Sequence, residues 1–375
     1  MSEECVVGQE AVYVAPGMPP LDMSGKQVSF FEFWPTWVMY APVGLMWLAL
    51  SVRYRSLSLP LIANPQLPLS GMVASPKTVL FEQASDESRR WILPWLEHRV
   101  SKDNVDTQIA ELMERMKQES LSFPIVAKPD IGCRGAGVKL LQNSEQLKDY
   151  VSSYPLDAAL VIQKLASWEP EAGVFYVRHP KAKQGRIISL ALKYSPYVLG
   201  DGQKTLAQLI DSDPRACQLK ELYSQRFAEQ LDEVVEKDKP FRLVFSVSHC
   251  RGAIFRNAEE HITEALTLQL DKILSGIPDF HFGRLDVKFR SVEGLRNGED
   301  LEIVEINGAS SESLHIWDRH TSLGTAVKAL MSQYKKLFEI GNENRLRGHK
   351  PPGIWALYKA WQHERTLTAH YPIND

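Results

Sequence analysis

Two short stretches near the C-terminus decide the fold of this chain: GRLDVK at 283–288 and LEIVEIN at 301–307. The first alternates apolar with polar residues and the second is a short run rich in Ile and Val, and each of these patterns predicts a β-strand. Successive side chains of a strand point to opposite faces, so Arg284, Asp286 and Lys288 share one face. The first strand therefore presents a row of charged groups on one side and apolar groups on the other.

The second stretch adds oxygen-bearing side chains to the first. Glu305 and Asn307 share a face of their strand, and they converge with Asp286 if the two strands pair as a hairpin. Two carboxylates and an amide oxygen are the hard ligands that Mg²⁺ prefers, with phosphates and water completing the octahedron. A structural salt-bridge ladder formed with Arg284 is the alternative interpretation.

Composition and charge limit the classes of protein that this chain can belong to. It has 375 residues, 44% hydrophobic and 24% charged, which is typical of a globular protein with two or three packed subdomains. Its 43 basic and 46 acidic residues give a net charge of −3, which argues against a nucleic-acid-binding protein. Four dispersed cysteines form no CxxC pair and indicate neither a disulfide scaffold nor a zinc ribbon.

An apolar segment at 30–52 departs from the soluble pattern. It contains 20 consecutive uncharged residues between Glu32 and Arg53, which is about the length that a helix needs to cross a bilayer. Pro35 and Pro42 interrupt it, and its density of aromatic residues favours a membrane–water interface. Three interpretations stay open: an interfacial or re-entrant anchor, a full span, and a helix buried in the fold or in an oligomer contact.

The rest of the chain alternates predicted helices and strands. Ser75 followed by Pro76 is typical of a helix start, and Gly341 is typical of a helix C-cap. The patterns predict strands at 123–129, 158–165, 173–178, 186–193 and 241–248; helices at 106–118, 259–275 and 325–340; a mostly helical region at 204–235; and a short helix near 354–362.

A glycine-rich loop follows the strand that ends near Lys128. Gly132, Gly135 and Gly137 let backbone N–H groups approach a phosphate, and the lysine adds a positive charge. The lysine precedes the glycines, so the motif is neither a Walker loop nor a dinucleotide-binding fingerprint. A tight turn without a ligand is the alternative.

The strand LVIQKL at 160–165 runs into a linker that leads to Glu171. Backbone groups at the end of such a strand can face an adenine edge, and a carboxylate shortly after it can accept from ribose hydroxyls. Any strand–loop–strand unit would show the same pattern.

The order and spacing of these three motifs resemble the ATP-grasp superfamily, in particular its D-alanine–D-alanine ligase branch. The resemblance covers about 75–340 and implies an α+β fold, in which two α+β subdomains clasp ATP around a hinge near 163–171. The N-terminal segment 1–74, with its apolar stretch 30–52, is unlike the domain that precedes the grasp in that branch. A basic tail is expected at 341–375.

The resemblance also implies roles for individual residues. Gln163 stands where the family usually has Glu, so its contact with adenine differs. The resemblance implies ATP contacts from Lys77, Lys128, Gly132, Gly135, Gly137, Gln163, Lys164, Leu165 and Glu171, metal ligation by Asp286, Glu305 and Asn307, and catalytic roles for Arg284 and Lys128.

A smaller likeness lies at 198–210, where VLGDGQKTLAQLI is similar to a stretch of cyanophycin-synthetase-type ligases. The alternative is local structure, a Gly-Asp-Gly turn followed by a helix that Thr205 caps.

The resemblance implies a ligase that uses ATP and one or two Mg²⁺ ions, or Mn²⁺, to join a small-molecule or amphiphilic carboxylate to an amine through an acylphosphate. The alternatives are a phosphotransferase on the same fold and a membrane-associated nucleotide-binding protein without turnover. We expect a cytoplasmic protein, peripheral to or anchored in the inner face of the membrane, without nucleic acid; the oligomeric state stays open. Polar candidates for substrate contacts are Arg178, Lys193, His249, Arg251, Ser310, Ser311 and His315.

Overall fold

The computed structural model describes residues 13–24, 28–29, 31–32, 34–132 and 135–372, with only the backbone of Thr36 and His249. Phe30 and Phe33 of the apolar segment, and Cys133 with Arg134 of the glycine-rich loop, lie outside the described residues.

The described residues form short strands and helices that follow one another along the chain. The strands are β1 (Trp95–Arg99), β2 (Ile125–Pro129), β3 (Lys139–Leu141), β4 (Ala159–Lys164), β5 (Glu171–Val177), β6 (Arg186–Tyr194), β7 (Tyr197–Leu199), β8 (Pro240–Arg242), β9 (Ile254–Asn257), β10 (Phe282–Phe289) and β11 (Leu301–Asn307). The helices are α1 (Thr36–Tyr54), α2 (Thr78–Gln83), α3 (Asp86–Arg89), α4 (Val105–Gln118), α5 (Ser144–Ser152), α6 (Leu206–Ser212), α7 (Lys220–Arg226), α8 (Glu264–Ser275), α9 (Val292–Asn297), α10 (Leu323–Leu346) and α11 (Ile354–Thr368).

The smaller of the two main sheets is antiparallel and has the strand order β1-β4-β2-β3. Its apolar side packs against α4 and α5, whose buried residues include Leu112, Met116 and Leu147. Both helices begin at an asparagine cap, Asn104 and Asn143, whose side chain accepts a backbone N–H of the first turn. This α+β unit carries Lys128 at the end of β2.

The larger sheet is antiparallel, with the strand order β11-β10-β5-β6-β9. Leu266 and Leu270 of α8 pack on one side of it, against Val174 and Leu285. Alternation along the strands sends other residues, such as Phe282, to the opposite side, where they meet α10. The pairing of β10 with β11 is the hairpin that the sequence predicts.

A small unit lies in the chain between β6 and β9 and consists of the β7–β8 ribbon, α6 and α7. Thr205 caps α6 in a reciprocal box with Gln208. Asp201 accepts the backbone N–H groups of Gln203 and Lys204. The GDG stretch at 198–210 therefore has the turn-and-cap structure of the local alternative.

Helix α1 contains most of the apolar segment and packs along α10. Met39 and Val43 are buried against that helix, whereas Trp37, Leu45 and Val52 are 74%, 72% and 80% exposed. Among the described residues, none of the helices combines the length and the apolar character that a bilayer crossing requires.

Helix α10 extends beyond Gly341, so the predicted C-cap at this residue is wrong. A Cβ at Gly341 would lie 2.1 Å from the carbonyl oxygen of Leu59, so the glycine permits close contact with the short 3₁₀ helix Leu59–Ile62. One turn later, Asn344 donates to the carbonyls of Ile62 and Ala63. The first residues of the basic tail predicted at 341–375 therefore belong to α10, which ends at Leu346.

Two other predicted elements also differ. Helix α2 begins at Thr78, later than the predicted Ser75, because the Asp130 carboxylate accepts the Thr78 N–H. The strand predicted at 241–248 is reduced to β8, because Arg242 donates to nearby carbonyl groups and turns the chain.

Candidate active site

A cavity of about 1020 Å³ is lined by residues of both main sheets. The smaller sheet contributes Lys128 and Gln163, and the larger sheet contributes Glu171, Lys193 and Asp286. The cavity thus brings together residues that are distant in the sequence, as the spacing of the motifs predicts.

Neighbouring strands of the larger sheet place a group of charges on one wall. Glu171 of β5 lies directly opposite Lys193 of β6 and Lys288 of β10 in the strand register. Lys193 Nζ is 2.6 Å from Glu171 Oε1 and 2.8 Å from Asp286 Oδ1, and Lys288 Nζ is 3.0 Å from Glu171 Oε2. Burial raises the pKa of Glu171, but the two lysines outweigh it and leave this pKa below its usual value.

Arg284 and Asp286 form a two-point contact on the same wall. Arg284 Nε lies 2.9 Å from Asp286 Oδ1, and Nη2 lies 3.2 Å from Oδ2. Burial raises the pKa of Asp286, but Arg284 and Lys193 together lower it well below its usual value. We call Lys128, Glu171, Lys193, Arg284 and Asp286 the charged arm of the cavity. The salt bridge between Arg284 and Asp286, which the sequence offers as an alternative to a metal site, is therefore present.

Two lysines from outside the larger sheet face this wall. Lys128 is buried and donates to Gln163 Oε1 at 2.7 Å and to the Val304 carbonyl at 3.1 Å. Lys77 donates to the Gly132 carbonyl at 2.9 Å and lies 3.9 Å from Glu305. Burial lowers the pKa of Lys128 to about 8.

The three predicted metal ligands lie on adjacent strands. Asp286 is directly opposite Glu305 in the β10–β11 register, and Asn307 is opposite Arg284. Asn307 Nδ2 is buried and has no hydrogen-bond partner among the described residues. Across those residues, no group of three His, Cys, Asp or Glu side chains could hold a metal ion. Two carboxylates with one amide are the donor set that remains, and this set fits Mg²⁺.

The glycine-rich loop contributes part of the opposite wall. Gly132 and Gly135 line the cavity, and Gly135 has φ of +73°, which favours glycine. Gly137 lies behind them, packed on Pro129, and its carbonyl accepts from Tyr150. The loop is thus placed beside Lys128, although its residues 133 and 134 are outside the described chain.

The predicted hinge also lines the cavity with Gln163, Lys164 and Leu165. The Lys164 N–H donates to the Pro94 carbonyl, and Gln163 Nε2 lies 3.3 Å from the Val304 carbonyl. The amide of Gln163 therefore orients Lys128 and contacts β11, a role that the sequence does not predict.

Some of the predicted substrate contacts reach the cavity and others do not. Ser310 and Ser311 line it beside Lys193, which belongs to the charged arm. Arg178 does not reach it, because its guanidinium donates to Ser275 and to the Phe280 carbonyl. His315 bonds to Ser189 instead.

Arg251 lies close to the glycine-rich loop. Its Nε would be 3.5 Å from a Cβ on Gly135, and burial lowers the pKa of its guanidinium. His249 lies in a short 3₁₀ helix, and its side chain is outside the described structure.

A further part of the cavity, which we call the aromatic arm, is lined by Trp34, Tyr40, Glu312 and Trp317. Glu312 accepts from the Tyr40 hydroxyl and, at 3.2 Å, from Trp317 Nε1. The sequence motifs do not predict these residues, because they lie just before α1, within α1 and in the segment after β11, where no site motif occurs. The aromatic density of the apolar segment was the available signal.

Comparisons with known proteins find distant structural likenesses. A bifunctional glutathione synthetase from Pasteurella multocida matches over 70% of this chain and 36% of its own length, with 13% identity and a TM-score of 0.36. A D-alanine–D-alanine ligase from Bacillus anthracis matches over 73% and 72%, with 13% identity and a TM-score of 0.37. The VanG D-Ala:D-Ser ligase from Enterococcus faecalis matches over 71% and 63%, with 9% identity and a TM-score of 0.38.

This chain thus spans about a third of the length of the glutathione synthetase. The three TM-scores are below 0.5, so the likeness is loose. No family model and no curated protein matches the chain.

The predicted fold class is confirmed. The chain has an α+β fold, in which two antiparallel sheets with their own helices face a common cavity.

Proposed function

We propose that this protein is an ATP-dependent carboxylate–amine ligase that forms an amide bond through an acylphosphate. One observation carries the proposal: Lys128 from the smaller sheet and Asp286 from the larger sheet line the same cavity. Lys128 Nζ also reaches the Val304 carbonyl of the larger sheet, at 3.1 Å. This arrangement suits a triphosphate that lies between the two sheets.

The two lysines and the glycine-rich loop are proposed to hold the phosphates. Lys77 and Lys128 carry positive charge toward the cavity, where a buried charge interacts more strongly than it would in water. The loop that contains Gly132 and Gly135 would cover the phosphates and exclude water. Lys164 and Leu165 are the proposed contacts for the adenine edge. Each Glu171 oxygen already meets a lysine, so a ribose hydroxyl would use its remaining lone pairs.

Asp286, Glu305 and Asn307 are the residues that would hold one or two Mg²⁺ ions, or Mn²⁺. A divalent ion bound to phosphate oxygens neutralises charge that develops during phosphoryl transfer. Asp286 and Glu305 lie directly opposite each other in the strand register, and this closeness of two carboxylates supports the assignment.

The reaction would proceed in two steps. A substrate carboxylate attacks the γ-phosphorus of ATP, which gives an acylphosphate and ADP. An amine then attacks the acyl carbon, phosphate leaves with the electron pair of the broken C–O bond, and the proton that the amine nitrogen loses goes to the departing phosphate. Arg284, which Asp286 holds in place, would stabilise the oxyanion of the tetrahedral intermediate.

We further propose that α1 rests on the inner surface of a membrane and that the carboxylate substrate is amphiphilic. The exposed side of α1 is apolar, from Trp37 through Leu45 to Val52, and Arg53 follows it. Such a face suits an interfacial helix next to anionic lipid headgroups. Flotation with anionic vesicles tests this: the Leu45→Ser, Val52→Ser double variant should no longer float, and unchanged flotation would contradict it.

ATP turnover with pooled amino acids and lipid extracts tests the reaction, with phosphate release and product mass measured together. The Glu305→Ala variant should lose turnover, whereas Glu299→Ala, an exposed residue near the same hairpin, should retain it. Normal turnover in Glu305→Ala would reject the assignment. A product that keeps the phosphoryl group, without any need for an amine, would instead establish a phosphotransferase.

A further inference from the structure

The aromatic arm holds a carboxylate, Glu312, that forms no direct ion pair among the described residues, although the positive charge of Arg284 is near enough to interact with it. Glu312 is half-buried, and among the described residues it forms no ion pair with a lysine, an arginine or a histidine. In the charged arm, by contrast, Asp286 and Glu171 are both compensated by cations. A carboxylate that faces a cavity without an ion-pair partner is a binding site for a cation.

The contacts of Glu312 leave room for such a ligand. Tyr40 donates to Oε1, and Trp317 donates to Oε2. A carboxylate has about four acceptor positions, so each oxygen can accept another hydrogen bond. These two donors also fix the orientation of the carboxylate toward the cavity.

The surroundings of Glu312 are apolar and aromatic. Besides Tyr40 and Trp317, the arm is lined by Trp34. Aromatic faces attract ammonium groups and also bury apolar groups. The arm therefore suits a cation that carries an apolar body, and it suits a carboxylate or a phosphate poorly.

The position of the arm relative to Arg284 fits one participant in the proposed reaction. Arg284 Nη1 lies 3.4 Å from the carbonyl oxygen of Glu312, so the charged and aromatic arms meet at this residue. An ammonium group at the Glu312 side chain would lie next to the place where Arg284 would stabilise the acyl transfer.

We propose that the aromatic arm binds the amine co-substrate, a primary amine on an apolar or aromatic body, through Glu312 with Tyr40 and Trp317. This inference rests on the proposed ligase function, because that reaction needs an amine at this end of the cavity. Glu312 is a binding and positioning residue for the ammonium group.

Binding of 2-phenylethylamine and of the neutral 2-phenylethanol to the purified full chain, without nucleotide, tests the proposal by ligand-observed NMR. We expect about tenfold or greater preference for the amine, since a hydrogen bond between two charged groups is stronger than one made by a neutral hydroxyl. Glu312→Gln should lose the preference.

Glu169→Gln is the matched control, because Glu169 also lines the cavity and accepts from a tyrosine hydroxyl, but has Arg242 at 3.4 Å. This variant should keep the preference for the amine. Equal binding of amine and alcohol, no binding of either, or an unchanged preference in folded Glu312→Gln would each overturn the inference.

A separate titration with a non-hydrolysable ATP analogue and Mg²⁺ distinguishes this failure from failure of the ligase proposal. If the analogue binds but the amine shows no preference, the inference about Glu312 is wrong and the ligase proposal stands. If the amine binds but the analogue does not, the ligase proposal is wrong although the amine site exists.

Discussion

The charged arm and the aromatic arm line the same cavity but are built in opposite ways. In the charged arm, Asp286 and Glu171 lie on strands whose register brings lysines and an arginine directly beside them. In the aromatic arm, Glu312 lies on a loop and is held by the side chains of Tyr40 and Trp317. The carboxylates of the charged arm form ion pairs with lysines and an arginine of the same arm. Among the described residues, the Glu312 carboxylate of the aromatic arm forms none.

This difference separates groups that hold one another in place from a group that is available to a ligand. The ion pairs of the charged arm are buried, so removing one member leaves the others uncompensated. Glu312 forms no ion pair among the described residues, so removing its charge breaks no ion pair with a lysine or an arginine.

Replacing Asp286 gives the largest effect that we expect. Asp286→Asn would leave Lys193 and Arg284 without a shared anion, which costs about 3 kcal/mol of unfolding free energy, and it would abolish ATP turnover. Glu312→Gln should cost less than about 1 kcal/mol. Urea unfolding with a turnover assay measures both, and equal losses of stability would remove the distinction between the arms.

The helix pair beneath the aromatic arm gives the next largest effect. Gly341→Ala places a Cβ 2.1 Å from the Leu59 carbonyl oxygen, and the required shift of α10 should cost about 2 kcal/mol. Gly44→Ala in α1 meets no atom within 4 Å and should stabilise the protein by about 0.5–1 kcal/mol. Thermal unfolding measures both variants, and a shift of the unfolding temperature in the same direction in both would contradict this packing.

The charged arm should also make ATP affinity depend on pH through Lys128. Burial lowers the pKa of Lys128 from its usual value of 10.5 to about 8; Glu305, Asp286 and Glu171 oppose this shift, and Lys77 adds to it. As the pH rises through about 8, the folded protein loses this positive charge, so affinity for ATP should fall by up to about tenfold per pH unit.

The same lysine affects stability in the opposite direction. Between pH 8 and 10.5 the unfolded chain binds more protons at Lys128 than the folded chain does, so this group increases stability as the pH rises.

Calorimetric titration of ATP from pH 6.5 to 9.5 measures the affinity. Lys128→Arg keeps its charge and should give a flat profile, and a flat wild-type profile would contradict the assignment.

The smallest expected effect concerns the tail behind the glycine-rich loop. The Tyr371 hydroxyl donates to the Ile131 carbonyl at 2.6 Å, and the ring stacks on Tyr154. Tyr371→Phe should cost about 1 kcal/mol and raise the KM for ATP a few-fold, since the start of the loop loses a hydrogen bond. Tyr358→Phe, on the exposed side of α11, should change neither quantity.

The main strands could be predicted because the alternation along β10 and the short apolar runs along β2, β4, β5, β6 and β11 are local properties of the sequence. The prediction was wrong at Gly341, because a glycine needed for close contact has the same sequence pattern as a helix C-cap. Arg178 was one of the polar candidates for substrate contact, but its guanidinium donates to Ser275 and does not reach the cavity. Contacts between distant segments decide these cases, and no local pattern contains them.

The sequence by itself determined the alternation that aligns Asp286 with Glu305, the glycine-rich loop after Lys128, and the apolar character of α1. Tertiary structure alone decided that α1 packs on α10, that its Tyr40 meets Glu312, and that this carboxylate faces the cavity without a direct ion pair among the described residues. The physical reason is that strand periodicity acts between neighbours in sequence, whereas the surroundings of a side chain depend on which distant segments fold against it.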